Sequence, residues 1–186
     1  MTTRSSGTLQ PPRKRGAFTP LSAGVMPHSA LTVAIRESLE TGADMGLATL
    51  DDAIDASHRT LQAIIRGDVE PFMALYSDTD DVSIGNPFGP FAHGRSATRA
   101  AGARAAENYT DGASIAFERI ATHATDSLAC VVEVEQFSVR LALAAELASV
   151  ALRVTSLFRR EPGGWRLVHR HADPITSVRP AASVAR

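Results

Sequence analysis

This sequence has almost no net charge, a single cysteine and no long apolar run. Its 19 basic and 20 acidic side chains leave a net charge of −1. Because the field that attracts nucleic acid is missing, we expect no nucleic-acid partner. Cys130 cannot form a disulfide within the chain, which fits a reducing compartment. No apolar run approaches the roughly 18–20 residues that cross a bilayer, and no signal-peptide core follows Arg13–Arg15. We therefore predict a cytoplasmic protein with no membrane partner.

The signatures of covalent, nucleotide and metal chemistry are also missing. The sequence contains no glycine-rich phosphate loop, no Gly-x-Ser-x-Gly motif and no plausible Cys-His pair. The His-x-His pair of His169 and His171 could hold a metal ion, but a metal site needs a third ligand. The preceding strand offers mainly Arg153, Thr155 and Ser156 there. We therefore expect neither a metal nor a cofactor.

The two ends of the chain differ in composition from its middle. Residues 1–27 are rich in Ser, Thr, Gly and Pro and show no apolar periodicity, which predicts a disordered tail. Residues 28–47 have a weak helical pattern and predict a helical extension. We expect the folded domain to span residues 48–177 and a flexible tail to span residues 178–186. The total of 186 residues suits one domain with extensions.

Helical patterns lie in the first half of the folded segment. Thr49 and Asp52 have the spacing of a capping box, and the apolar periodicity that follows predicts a helix that ends at Gly67. Asp68 can cap a short second helix. An alanine-rich third helix is predicted over Ser96–Asn108, and its small side chains allow close packing.

Strand patterns fill the remainder of the domain. Asp81–Gly85 predicts a short strand, and Asn86–Pro90 is a turn-rich loop. The long strands that follow are predicted over Ile115–Thr122, Leu128–Leu141, Leu147–Arg160 and Trp165–Ala172. The order helix, helix, strand, helix and antiparallel meander predicts an α+β fold with the helices on one face of a curved sheet.

Three segments within roughly Leu50–Thr176 carry a family resemblance: PFMALYSDTDDVSI, FAHGRSATRA and LRVTSLFRREPGGWRLVHRHADP. They resemble the nuclear transport factor two superfamily, which includes ketosteroid isomerase, the SnoaL-like polyketide cyclases and scytalone dehydratase. The ending is also similar to the association domain of calcium/calmodulin-dependent protein kinase II. The resemblance implies a cone-shaped, mostly antiparallel sheet with about three N-terminal helices on one face. It also implies a pocket between sheet and helices, and a homodimer through the outer sheet face. It implies no single reaction, because this fold carries many functions.

Two glutamates alternate along the strand that starts at Leu128. Glu133 and Glu135 share one face with Val131, Phe137 and Val139, because strand side chains alternate. A carboxylate that faced the pocket would lie among apolar groups and could act as an acid or base. One that faced solvent would only pair with arginines such as Arg140 or Arg153. We favour the second alternative, pairing in solvent or at an interface.

The last strand brings two imidazoles together. Because strand side chains alternate, His169 and His171 share a face with Trp165 and Leu167. We favour hydrogen bonds to the neighbouring strand or to a dimer partner, and contact with a ligand or relay of a proton is the alternative.

The resemblance to the kinase association domain implies a pocket whose arginines receive carboxylates. The position of that family's arginine on the penultimate strand aligns best with Thr155. Arg153 lies two residues away on the same face.

Other candidate site residues lie in the first half of the domain. The family pattern places the Tyr76 hydroxyl in the pocket, and a core tyrosine with its hydroxyl at the rim is the alternative. His58 lies beside the apolar stripe of the first helix, where a hydrogen-bonded or half-exposed histidine is favoured over a ligand contact. His93, Asn86 and Phe88 lie at the expected mouth of the cone, where they could contact a ligand.

These observations predict a SnoaL-like protein that binds a small, largely apolar or carboxylate-bearing organic molecule. Cofactor-free isomerisation, cyclisation or dehydration is the reaction class that we expect of an enzyme with this pocket. Tyr76 and His171 would then orient the substrate, and Glu133, Glu135 or Asp81 would move the proton. A non-catalytic assembly or ligand-sensing module is the alternative, because no complete catalytic trio can be assigned.

Overall fold

The computed structural model describes residues 47–142 and 144–185. The predicted tail over 1–27, and the extension over 28–47 apart from its last residue, lie outside the described residues. Three helices come first: α1 (Leu50–Ile64), α2 (Glu70–Met73) and α3 (Arg95–Ala106). The predicted capping box starts α1, where the Asp52 amide donates to Thr49 Oγ1 at 3.1 Å and the Thr49 amide donates to Asp52 Oδ2 at 3.0 Å.

Six strands form a single sheet that curls without closing. They are β1 (Ser83–Gly85), β2 (Ala92–His93), β3 (Tyr109–Ala124), β4 (Leu128–Leu141), β5 (Leu147–Glu161) and β6 (Gly164–Asp173). The spatial order is β2-β1-β6-β5-β4-β3. All neighbouring strands are antiparallel except β1 and β6, which are parallel. The predicted α+β cone with a mostly antiparallel sheet is therefore confirmed.

The core lies between the inner face of the sheet and the helices. Ile54 and Leu61 of α1 and Phe72 of α2 pack into one cluster with Phe158 and Trp165 from the sheet. Each of these side chains is at most 5% exposed, so the helices cover the sheet face that the strand alternation makes apolar. No helix in the part of the chain that the structure describes is long and apolar enough to cross a membrane.

A β-bulge interrupts the pairing of β6 with β5. Phe158 pairs with Leu167, and its neighbour Leu157 pairs with His169, so Val168 is the extra residue of the bulge. Leu167 and Val168 are both buried although they are consecutive. The alternation of side chains therefore shifts by one residue beyond Val168.

This bulge overturns the predicted face of the two histidines. Arg170 and Ala172 are buried on the inner face, whereas His169 and His171 are half-buried on the outer face. The prediction that the histidines share a face with Trp165 is therefore wrong. Its physical reason is that the rule of alternation holds only in an unbroken strand.

The two glutamates of β4 correct a second expectation. Glu133 is 5% exposed and Glu135 is 3% exposed, and the inner face of β4 carries both. The favoured pairing in solvent with Arg140 or Arg153 is therefore wrong, since those arginines bind aspartates of the neighbouring strands β3 and β6. The shared face of the glutamates is as predicted, but helices cover it.

Candidate functional site

A small cavity lies inside the cone. Its volume is about 40 Å³, enough for about three water molecules at 10–15 Å³ each. Its walls are largely apolar and include Leu61, Ile65, Phe72, Ile115, Phe137 and Leu152. Asn86, Tyr109, Glu135 and Arg170 are the polar residues among those that line it.

A buried ion pair forms part of the cavity wall. Arg170 Nη2 donates to Glu135 Oε2 at 2.7 Å, and the two side chains are 8% and 5% exposed. They meet on the inner face although β5 lies between their strands. The Arg170 guanidinium also lies over the Phe72 ring, 5.7 Å from its centroid, a cation–π contact. The pair thus places two opposite charges in an apolar cavity.

Burial and charge shape the ionisation of the cavity residues. Burial disfavours the charged form of Arg170, but the negative charge of Glu135 outweighs this effect and raises the arginine pKa. Burial raises the pKa of the Tyr109 hydroxyl to about 12, so that it is a neutral hydrogen-bond donor at pH 7. The cavity therefore offers a neutral hydroxyl beside a charged pair.

An outer groove continues the cavity toward solvent. Its volume is about 510 Å³, and Pro87, Tyr109 and Leu152 line both spaces. The Tyr109 ring makes edge contacts with Phe88 and Phe137, at 5.3 and 5.8 Å between centroids. Phe88 lies on the β1–β2 loop and is 46% exposed. Tyr109 therefore lies between the inner cavity and the groove.

A family model described as a SnoaL-like domain matches residues 53–176, from α1 to just beyond β6. The chain belongs to the SnoaL-like domain family. The matched segment contains the cavity, the ion pair and the groove. No curated protein matches the chain.

Solved structures show the same fold as this SnoaL-like domain. A candidate calcium/calmodulin-dependent protein kinase type II association domain from Thiobacillus denitrificans is 22% identical, with a TM-score of 0.58 over 69% of this chain and 96% of that one. A ketosteroid isomerase-like protein from Erwinia carotovora atroseptica is 20% identical, with a TM-score of 0.57 over 70% and 97%. A candidate dehydratase of the NTF2-like family from Streptomyces avermitilis is 25% identical, with a TM-score of 0.52 over 74% and 99%.

The structure brings three of the predicted site residues to the cavity or the groove. Glu135 and Asn86 line the inner cavity, and Phe88 lines the groove. Sequence reasoning missed Arg170 and Tyr109. No local signal marked Arg170, because strict alternation along the strand places it on the other face from Trp165. Tyr109 was missed because it lies before the predicted start of its strand.

Glu133 belongs to a second, partly buried cluster in the SnoaL-like domain, outside the residues that line the cavity. His58 Nε2 lies 3.0 Å from Glu133 Oε1 and 3.1 Å from Oε2. Arg119 Nε donates to Glu133 Oε1 at 2.8 Å, and the His58 ring stacks on Phe117 at 3.7 Å between centroids. The cluster joins α1 to β3 and β4.

We expect the free energy of unfolding of Glu133→Gln to depend less on pH in the acidic range than that of the wild type. Burial alone would raise the pKa of Glu133, but the hydrogen bonds and charges of His58 and Arg119 outweigh it and lower that pKa below its usual range. A carboxyl with a depressed pKa stabilises the fold above its unfolded pKa, and this contribution is lost as the pH falls through the folded value. Urea unfolding at several pH values between 6 and 3 measures how steeply the free energy of unfolding changes with pH. Glu118→Gln on the outer face is the control, and an equal slope for both variants would contradict the prediction.

Tyr76 is buried at the end of the second helical segment, but it does not line the cavity. It is 3% exposed, and its hydroxyl has no hydrogen-bond partner among the described residues. Burial raises its pKa, so the hydroxyl stays neutral. Its ring makes an edge contact with Phe72 at 5.8 Å between centroids.

Tyr76→Phe is expected to raise the free energy of unfolding by about 1 kcal/mol, because it removes a buried polar group that has no partner. Chemical denaturation of both proteins measures the difference. Tyr109→Phe is the comparison, since that hydroxyl borders the cavity rather than the packed core. A loss of more than about 1 kcal/mol for Tyr76→Phe would mean that its hydroxyl is bonded.

The remaining predicted residues lie outside the cavity. On the outer face, His169 Nδ1 is 2.8 Å from Ser83 Oγ, and His171 is paired with Thr155 across β5 and β6. Arg153 Nε donates to both oxygens of Asp173 at 2.8 Å.

Asp81 and His93 are both exposed. The hydrogen bond from the Arg159 guanidinium lowers the pKa of Asp81 well below its usual range. In the part of the chain that the structure describes, no three His, Cys, Asp or Glu side chains are grouped as a metal ion would require.

Proposed function

We propose that this SnoaL-like domain binds a small, largely apolar molecule inside the cone, with the polar end of the molecule at Glu135 and Arg170. The observation that carries the proposal is a buried ion pair in the wall of a largely apolar cavity. Ligand pockets commonly combine apolar walls with a few convergent polar groups. Small-molecule binding is supported by membership of the SnoaL-like family and by the similarity to a ketosteroid isomerase-like protein and to a candidate dehydratase.

The volumes indicate how such a ligand would lie. The inner cavity of about 40 Å³ is too small for most ligands, since ligand pockets usually enclose about 300–1,000 Å³. The adjoining groove of about 510 Å³ supplies the missing room. We propose that the apolar part of the ligand occupies the groove and that Tyr109 moves aside as the polar end enters.

A screen of small molecules by thermal shift, followed by a blocking variant, tests this proposal. Ala105 lines the cavity from α3, so Ala105→Leu fills it. Ala101 is buried one turn earlier on the same helix and does not line the cavity, so Ala101→Leu is the matched control. We expect hits to bind the wild type and Ala101→Leu but not Ala105→Leu. Hits that bind all three proteins equally would rule out the cavity as the binding site.

Proton transfer by Glu135 is a second candidate function. The observation that favours it is a carboxylate held among apolar side chains with the Tyr109 hydroxyl on the same cavity wall. In such a site Glu135 would take a proton from a carbon next to a carbonyl group, and Tyr109 would donate a hydrogen bond to the carbonyl oxygen.

Deuterium exchange tests this second function. NMR in D₂O follows exchange at the carbons next to the carbonyl of cyclohexanone. The wild type is expected to exceed Glu135→Gln by at least about 100-fold, the usual contribution of a general base. Equal exchange rates for the two proteins would mean that Glu135 does not transfer a proton, and ligand binding would remain the proposed function.

We also propose that two copies associate through the outer face of the sheet. Val132, Val134 and Leu157 lie on that face and are only partly buried within one chain. Analytical ultracentrifugation of the wild type and of Val134→Glu tests this. A dimer that Val134→Glu converts to a monomer is the expected result, and a wild-type monomer at micromolar concentration would contradict it.

A further inference from the structure

We propose that the inner cavity selects ligands whose polar end is uncharged and carries both a hydrogen-bond acceptor and a donor, and that it rejects carboxylates of the same shape. The inference rests on the proposed function and specifies its ligand class. Its basis is the charge and the unused hydrogen-bonding atoms of the Glu135–Arg170 pair. It replaces the broader expectation that the ligand is apolar or carboxylate-bearing.

The charge of the cavity is already balanced. Glu135 and Arg170 are the charged residues among those that line it, and they neutralise each other at 2.7 Å. Both are more than nine-tenths buried. A carboxylate that entered would bring an unbalanced negative charge next to Glu135 in an apolar surrounding, which is strongly unfavourable. A neutral polar group brings no such cost.

The pair has both a donor side and an acceptor side to offer. Arg170 Nη2 and Glu135 Oε2 bind each other. Among the described residues, no hydrogen bond is found for Arg170 Nε or Nη1 or for Glu135 Oε1. The Asn86 side chain is occupied, since its amide nitrogen donates to the Ala101 carbonyl and its oxygen accepts from the Phe88 amide. The unused atoms therefore match a group such as a carboxamide, with a carbonyl for Arg170 and an N–H for Glu135.

Benzamide and benzoate test the inference, because they share a ring and differ in the charge of the polar end. Each is titrated at pH 7 into the full chain, and amide NMR shifts of Tyr109, Phe137 and Leu152 report binding at the cavity. We expect benzamide to bind at least about tenfold more tightly than benzoate. If benzoate binds equally well or better, the inference is wrong and the proposed function stands. If neither compound shifts these signals, both are wrong.

Glu135→Gln tests the cause of the selectivity. This variant leaves Arg170 as an unbalanced positive charge, so the preference should invert to benzoate by at least about tenfold. Glu133→Gln is the matched control, because Glu133 lies two residues away on the same strand face, pairs with Arg119 and does not line the cavity. It should keep the wild-type preference. If the Glu135→Gln variant folds and still prefers benzamide, the inference is wrong. If the variant does not fold, the comparison of benzamide with benzoate on the wild type decides.

Discussion

Replacing Arg170 with methionine should lower the free energy of unfolding by about 3–5 kcal/mol, because it leaves the Glu135 carboxylate buried without its partner. The arginine side chain is 8% exposed and the glutamate side chain 5%, so the remaining charge is shielded from bulk water, and the cavity beside it holds only about three water molecules. Urea unfolding at pH 7 measures the loss. This effect is a large fraction of the 5–15 kcal/mol that stabilises a typical domain.

Two further variants separate the ion pair from its packing. The double variant Glu135→Leu, Arg170→Met removes both charges and should recover most of the lost stability, since apolar replacements of buried pairs are often neutral. Arg153→Met breaks an ion pair on the outer face, where the arginine is 54% exposed, and should cost less than about 1 kcal/mol. A similar loss for Arg170→Met and Arg153→Met would mean that the Glu135 charge is not buried.

Deleting Val168 should leave Arg170 on the inner face of β6 and the two histidines on the outer face. The deletion removes the extra residue of the bulge, so Leu167 and His169 would become consecutive and would still pair with Phe158 and Leu157 of β5. The ion pair of Arg170 and Glu135 is therefore kept, and the loss of stability is that of the buried Val168 side chain, about 1.5–3 kcal/mol. Circular dichroism on heating is expected to show a single cooperative transition for the deletion variant.

Val168→Ala is the control for the deletion. It keeps the number of residues in β6 and removes only part of a side chain that is 9% exposed, so it should cost about 1–2 kcal/mol. It should also keep the amide NMR pattern of the wild type. A deletion variant that is about 3–5 kcal/mol less stable than Val168→Ala would contradict the prediction, because such a loss would mean that Arg170 no longer pairs with Glu135.

Elements with local signals were predictable from the sequence. The capping box of Thr49 and Asp52 places the start of α1, because both partners lie within one turn. The predicted strand over Leu128–Leu141 matches β4, whose ends are marked by a turn on one side and polar residues on the other. The two-residue strand β2 was not predicted, because its pairing with β1 depends on distant register and has no periodicity of its own.

The candidate site was predicted only in part. The alternation along β4 placed Glu133 and Glu135 on one face, but not their different surroundings. Glu133 meets His58 of α1 and Arg119 of β3, whereas Glu135 meets Arg170 of β6. These partners come from elements far apart in the chain, so no local pattern distinguishes the two glutamates.

The sequence by itself determined the fold class, the family and the order of elements apart from β2, because apolar periodicity, caps and turns are local and the ending GGWRLVHRHADP is distinctive. Tertiary structure alone decided which side chains enter the cone. A bulge at Val168 turns Arg170 inward and the two histidines outward, and it lies where β6, already paired with β5, begins to pair with β1 as well. Such a shift of register arises from long-range pairing, which the identity of neighbouring residues does not encode.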